Sequence, residues 1–152
     1  MITLKNTQRT HKINKARILK TVLHILDQLD YADFDISIWL TNSATIRRYN
    51  RDFRKKDKAT DILSFPYHEN LKPPKRIKPS CEEDKNIGDI IIAVDFVVKL
   101  LPLYSVTLDQ RLDTLLIHGI CHLLGYTHYD PDNDKQMIAI EKKLARSLKI
   151  NT

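Results

Sequence analysis

TLDQRLDTLLIHGICHLLGYTH, residues 107 to 128, is the stretch from which the fold can be read. Thr107, followed three residues later by Gln110, has the T-x-x-Q pattern of a capping box, which opens a helix. Gly125 is placed to close it, so the spacing predicts a helix over 108–124. At about 100° per residue, Leu112, Leu115, Leu116, Ile120 and Leu123 make a broad apolar arc. Gly119 lies inside that arc, where a missing side chain lets another element approach closely. His118 and His122 stand together at the margin, about 40° apart, at the boundary between core and solvent.

Outward from this helix the pattern alternates between strands and helices. Residues 2 to 5 predict a short strand. Apolar residues from Ile13 to Leu29 recur at helical spacing. FDISIWL, 34 to 40, alternates and is rich in β-formers, so it predicts a strand. Thr41, Asn42 or Ser43 can cap the next helix, over 43–53. DILSFP, 61 to 66, is a short strand closed by proline, and NIGDIIIAV, 86 to 94, a buried one. Between them, residues 66 to 86 hold four of the six prolines and no period. A connection that long predicts a functional or mobile loop. Asp95 can cap a short helix ending at Pro102. Asp130-Pro131 predicts an N-cap and first helical residue for a last helix to about 149, with Met137, Ile140, Leu144 and Leu148 on one face. The fold class expected is α+β: one domain over residues 1–152, a mixed sheet of about four strands with helices packed mainly on one face.

The totals agree with a soluble globular chain. Hydrophobic residues make up 42% and charged residues 29% of 152, normal proportions for that class. No apolar run approaches the ~20 residues of a membrane span. The start, MITLKNTQRTHK, has no apolar core of a secretory signal. Cys81 and Cys121 cannot form a disulfide framework, so a reducing, cytoplasmic setting is expected. A net charge of +6 points weakly to an anionic partner, nucleic acid above all. Residues 47 to 58, RRYNRDFRKKDK, hold seven Lys or Arg against Asp52 and Asp57.

Three of the six histidines fall between 118 and 128. Side chains at i and i+4 lie one above the other on a helix, which suits two bonds to one metal ion. After Gly125 the chain can turn back and bring His128 to the same point. Three neutral imidazoles suit zinc and also accept nickel, copper or iron. Three protein ligands leave one position open, the mark of a catalytic zinc site. Zinc proteases of the H-E-x-x-H type place a general-base glutamate directly after the first histidine; here that place is Gly119. Phosphodiester cleavage depends less on such a base, because a Lewis acid can meet the charge developing on phosphorus.

HGICHLLGYTH resembles the H-G-x-x-H-L-x-G-Y-x-H hallmark of the YbeY family of bacterial endoribonucleases, also called rRNA maturation factors. YNRDFRKKDKATDILSFP, 49 to 66, and IGDI, 87 to 90, resemble two further blocks of that family, and Met137 and Glu141 fit its pattern for the following helix. Two positions depart from it: Thr127 stands where the family usually has aspartate, and Cys121 where it usually has leucine. The resemblance implies a zinc-dependent, single-strand-specific endoribonuclease with one Zn2+ per chain, held by His118, His122 and His128 in a cleft. It implies action in 16S rRNA 3′-end maturation and ribosome quality control, with a 16S precursor and the small ribosomal subunit and its proteins as partners. It also places the family's functional arginine at Arg54, whose planar fork suits a phosphate and would hold the scissile one. Arg51, Lys55, Lys56 and Lys58 would add general, salt-sensitive attraction to the RNA backbone. Thr60, Asp61 and Ser64 are candidates for supporting roles, Cys121 for packing. Two other functions fit parts of the pattern: a metallohydrolase of another class, such as a peptidase, and a non-catalytic ribosome-assembly factor with a structural metal.

Overall fold

The computed structural model describes residues 1–150. Its elements run β1 (Ile2–Asn6), α1 (Lys15–Gln28), β2 (Asp35–Thr41), α2 (Ser43–Arg54), β3 (Ile62–Pro66), β4 (Asn86–Ala93), α3 (Val94–Leu100), α4 (Leu108–Leu123) and α5 (Pro131–Ile150), with short 3-10 turns at Glu82–Asp84 and Leu101–Leu103. The four strands form one mixed sheet in the order β1-β2-β4-β3. β1, β2 and β4 are parallel, and β3 runs antiparallel to β4 as an edge strand. The α+β expectation holds, and strand and helix boundaries fall within about two residues of those predicted.

Alternation along the strands sorts side chains between the two faces. Ile36, Ile38 and Leu40 of β2 and Ile90 and Ile92 of β4 point into the main core. There they meet Val22, Ile25 and Leu26 of α1, Leu112, Leu116, Ile120 and Leu123 of α4, and Met137 and Leu144 of α5. Full burial of an aliphatic side chain of this size is worth about 1.5–3 kcal/mol, so this face carries most of the folding drive. The opposite face is covered only in part. Ile46 of α2 packs on Leu63, Ile91 and Ala93, and Tyr49 of α2 and Trp39 of β2 are only partly buried against that cluster.

Helix ends follow the sequence closely. Asn14, Asn42 and Thr107 each accept a backbone N–H of the first turn, and Thr107 and Gln110 form the complete capping box. Asp130 accepts from the N–H of Asn133 at 2.9 Å, with Pro131 as the first helical residue. Asp95 behaves differently. It sits within the first turn of α3, Ala93 holds the cap position without a side-chain bond, and Asp95 Oδ1 is buried with no hydrogen-bond partner. The helix starts directly after β4, so the extended cap position falls on Ala93, the last strand residue, and not on Asp95.

The long connection is a strap rather than a loose loop. Ile77 is buried, and its N–H donates to the Tyr31 hydroxyl at 2.8 Å. Arg76 donates to the Asp30 carbonyl at 2.8 Å and lies over the rings of Tyr31 and Phe34. Nearer the sheet, His68 Nε2 pairs with the Asp84 carbonyl at 2.7 Å. These contacts reach 16 to 46 residues along the chain, beyond what local periodicity reports.

Candidate metal centre

Helix α4 can present its histidines because Gly119 lets it settle onto the sheet. A Cβ built there would stand 2.9 Å from Ile62 Cδ1, 3.0 Å from Ile90 Cδ1 and 3.2 Å from Ser64 Oγ. The close approach predicted for this glycine is therefore found. Gly125 ends the helix at φ +95°, where its own Cβ would lie 2.7 Å from Leu71 Cβ of the strap. The turn it makes carries His128 back toward α4.

The three imidazoles gather. His118 Nε2 and His122 Nε2 are 3.0 Å apart. The His128 ring is stacked near that of His118, with centroids 5.8 Å apart, and is 6.1 Å from that of His122. Each Nδ1 has an acceptor of its own. His118 Nδ1 is 3.3 Å from Glu141 Oε2, His122 Nδ1 is 3.0 Å from the Tyr126 carbonyl, and His128 Nδ1 pairs closely with Asp134 Oδ1. Acceptors at Nδ1 fix the tautomer that carries its proton there and leave the Nε2 lone pair for a metal. Burial, with the His118 ring beside it, pushes His122 below the ordinary histidine range. Both favour the neutral form that a metal ligand needs.

Glu141 fitted the family pattern in the sequence but was given no place at the site. It comes from α5, 23 residues from His118, and its second oxygen lies 3.7 Å from His128 Nε2. His118, His128 and Glu141 offer ligand atoms within 4.8 Å of one another, a set able to hold a metal ion. Its side chain is 24% exposed, against 33% for His118 and 41% for His128. The group is thus half-buried and open to solvent on one side. Asp134 was missed as well. Its signal was available: a carboxylate in the first turn of a helix that starts three residues beyond His128.

Arg54 lands beside this group rather than in it. Its guanidinium donates to the Ser64 carbonyl at 2.6 Å and lies over the Phe65 ring. Ser64 faces α4 while Phe65 faces the other side, so Arg54 grips the edge strand that separates the two faces. Arg51 pairs with Asp52 at 3.0 Å. Lys55 ends α2 in the left-handed conformation at φ 57°. Lys56 and Lys58 line a recess with Arg54, Asn50 and Thr60. All four of these basic residues are exposed. Asp61 caps the start of β3 through the Ile62 N–H at 2.8 Å and pairs with Arg111 at 3.5 Å, away from the imidazoles. Cys121 is fully buried, its thiol pushed up to about 12 by burial, which suits packing and not ligation.

The sequence profile described as Endoribonuclease YbeY matches residues 3–149. The chain belongs to that family. Among its relatives is an "Endoribonuclease YbeY" of Homo sapiens, 31% identical over 147 residues, which cover 97% of this chain and 87% of the relative. One from Persephonella marina is 37% identical over 126 residues, covering 83% and 77%. One from Myxococcus xanthus is 38% identical over 130 residues, covering 85% of this chain but 42% of that longer protein. The fold matches the solution structure of a Thermotoga maritima protein with a TM-score of 0.60 at 23% identity, over 95% of this chain and 87% of the other. Among the described residues no helix is long and apolar enough to cross a membrane.

Proposed function

We propose that this chain is a zinc-dependent, single-strand-specific endoribonuclease, formed by residues 1–152 as one domain, that acts in the cytoplasm. The substrate is a 16S rRNA precursor trimmed near its 3′ end on the small ribosomal subunit, and the same cleavage serves ribosome quality control. Membership of a family named for endoribonuclease activity supports the reaction class. The observation that supports the metal reading is the outer partner found at each Nδ1, which leaves the Nε2 atoms for an ion beside the close-set His118, His128 and Glu141. His118, His122 and His128 would hold it, with Glu141 orienting His118. A bound zinc ion supplies Lewis acidity toward a phosphate oxygen and can lower the pKa of a water.

The protein's own groups do the rest. Arg54, exposed at the end of α2 and bonded to the edge strand, binds and orients the scissile phosphate through its planar fork. Lys55, Lys56, Lys58 and Arg51 attract the flanking phosphates. Gly119 fills the place where a zinc peptidase carries its general-base glutamate, which favours RNA over peptide as substrate. The test pairs elemental analysis with cleavage of a 16S precursor. Native protein is expected to carry one zinc and cut single-stranded RNA, and His118→Ala to lose both properties. Arg54→Ala is expected to retain zinc but cut about 100- to 1000-fold more slowly, the range for loss of one charge-stabilising donor. Zinc-loaded protein that binds small subunits yet never cuts RNA would instead establish an assembly factor.

A further inference from the structure

The sheet face that α2 leaves uncovered carries a continuous aromatic surface. Register aligns Thr3, Ser37, Asp89 and Phe65 in one row across all four strands, and Lys5, Trp39, Ile91 and Leu63 in the next. Tyr49 and Phe53, one turn apart on α2, border these rows. Trp39 meets Tyr49 edge-on at 5.6 Å, Tyr49 stacks with Phe53 at 5.8 Å and 15°, and Phe53 meets Phe65 at 5.6 Å. The single tryptophan of the chain and two of its four phenylalanines are thus spent on one groove of about 540 Å³. Phe53 is 66% exposed, an unusual position for a phenylalanine with no ligand.

Cations are interleaved with these rings. Lys5 Nζ sits 4.8 Å from the Trp39 centroid, the Arg48 guanidinium 5.8 Å from Tyr49, and that of Arg54 5.5 Å from Phe65. Asp89 is the one acidic group lining the groove. Arg54 lines the basic recess with Lys56 and Lys58 and lies over Phe65, a residue of the groove. Rings in a row supply π-faces to unstacked bases and the cations track the phosphates, a combination that suits a single strand. A duplex hides its base faces, and a purely apolar partner would leave three cations without counter-charge.

We infer that this open sheet face is a second RNA-binding surface: a platform on which two or three unpaired bases stack, reached from the histidine cluster around the β3 edge. Arg54 sits at that edge and joins the two faces. The inference rests on the reading of the chain as an RNA-cleaving protein. It adds where the strand runs beyond the cut and why a single strand is required.

Trp39 makes the platform directly measurable. Its fluorescence is followed as single-stranded RNA ten nucleotides long is added to intact protein. Full-length His118→Ala protein is titrated alongside, so that binding is read without cleavage. Saturable quenching by the single strand is expected in both, weakened by added salt and absent with a duplex of the same sequence. Phe53→Ala removes an exposed ring that no core contact needs; it should weaken binding about 5- to 100-fold, the loss of one base–aromatic stack. Lys5→Glu should weaken it and flatten the salt dependence.

An unquenched Trp39 in protein that still cuts RNA would overturn the platform and leave the endoribonuclease reading intact. Quenching without cleavage, whatever metal is supplied, would do the reverse. Equal quenching by duplex, or quenching indifferent to Phe53→Ala, overturns the platform. So does a concentration-dependent dimer, seen by sedimentation and lost in Phe53→Ala, which would give the face to a second copy of the chain.

Discussion

Helices α4 and α2 both carry residues expected to handle phosphate chemistry, and the fold treats them in opposite ways. α4 is pressed onto the sheet through a glycine, half of its residues are buried, and each histidine it offers is held from behind by a second group. α2 buries only Ile46 and Asn50 and sends its cations into solvent. Arg54 reaches back to the sheet, by one hydrogen bond to the Ser64 carbonyl and by lying over the Phe65 ring. The difference matches the two tasks. Metal ligands must be placed to within a few tenths of an ångström, so their outer partners are fixed too. Phosphate attraction acts at longer range and tolerates moving side chains. Damage to α4 or its supports should therefore remove function abruptly, and damage to α2 should erode it.

The largest expected effect is at the ligands. His122→Ala should abolish stable zinc binding, a loss greater than the roughly 10- to 100-fold that removal of an outer partner costs. Competition with a chromophoric chelator measures it. Asp134→Asn comes next. Asp134 holds Nδ1 of His128 from the following helix, in a chain that has Thr127 rather than an aspartate beside that histidine. Losing the charge should weaken zinc binding about 10- to 100-fold. An affinity that does not change would show that the His128 ring is positioned by the turn alone, and the contrast with α2 would shrink.

Gly119→Ala tests the approach that brings α4 to the sheet. Alanine gains about 1 kcal/mol of helix propensity, against about 1–3 kcal/mol for overpacking two isoleucine ends and Ser64 Oγ. A net loss of about 1 kcal/mol is expected, read as a lower urea midpoint with an unchanged slope. A more stable variant would mean that the helix has room to spare.

What could be read from residue order follows the same division. The α4 capping box, the close approach at Gly119, the histidine pair and the turn at Gly125 are all local, and each was legible from spacing. The neighbouring placements were not. Glu141 meets His118 only because α5 folds back across α4, and Ile77 finds the Tyr31 hydroxyl from 46 residues away. The aromatic groove was invisible for the same reason. Trp39, Phe53 and Phe65 lie in three different elements, and only the sheet register and the short reach of α2 bring them together. Asp95 failed as a cap because the helix starts at Val94, so the extended cap position falls on Ala93, the last residue of β4, and Asp95 is already inside the first turn.

The smallest expected effect lies on α2 and the turn that follows it. Lys56 and Lys58 are exposed beside Arg54 and are placed to meet phosphates without fixed geometry. Replacing both with alanine should leave zinc content and the cleavage rate at saturating RNA unchanged. Affinity should fall modestly at low salt and hardly at all at high salt, because what is lost is counterion release. On a plot of log affinity against log salt, the slope should shallow by about 0.7 for each lysine that contacts a single-strand phosphate. A lowered saturating rate would mean that one of them touches the reacting phosphate, and that α2 shares the fixed geometry of α4. An unchanged slope would remove both lysines from the RNA path and leave Arg54 alone to carry the strand across the β3 edge.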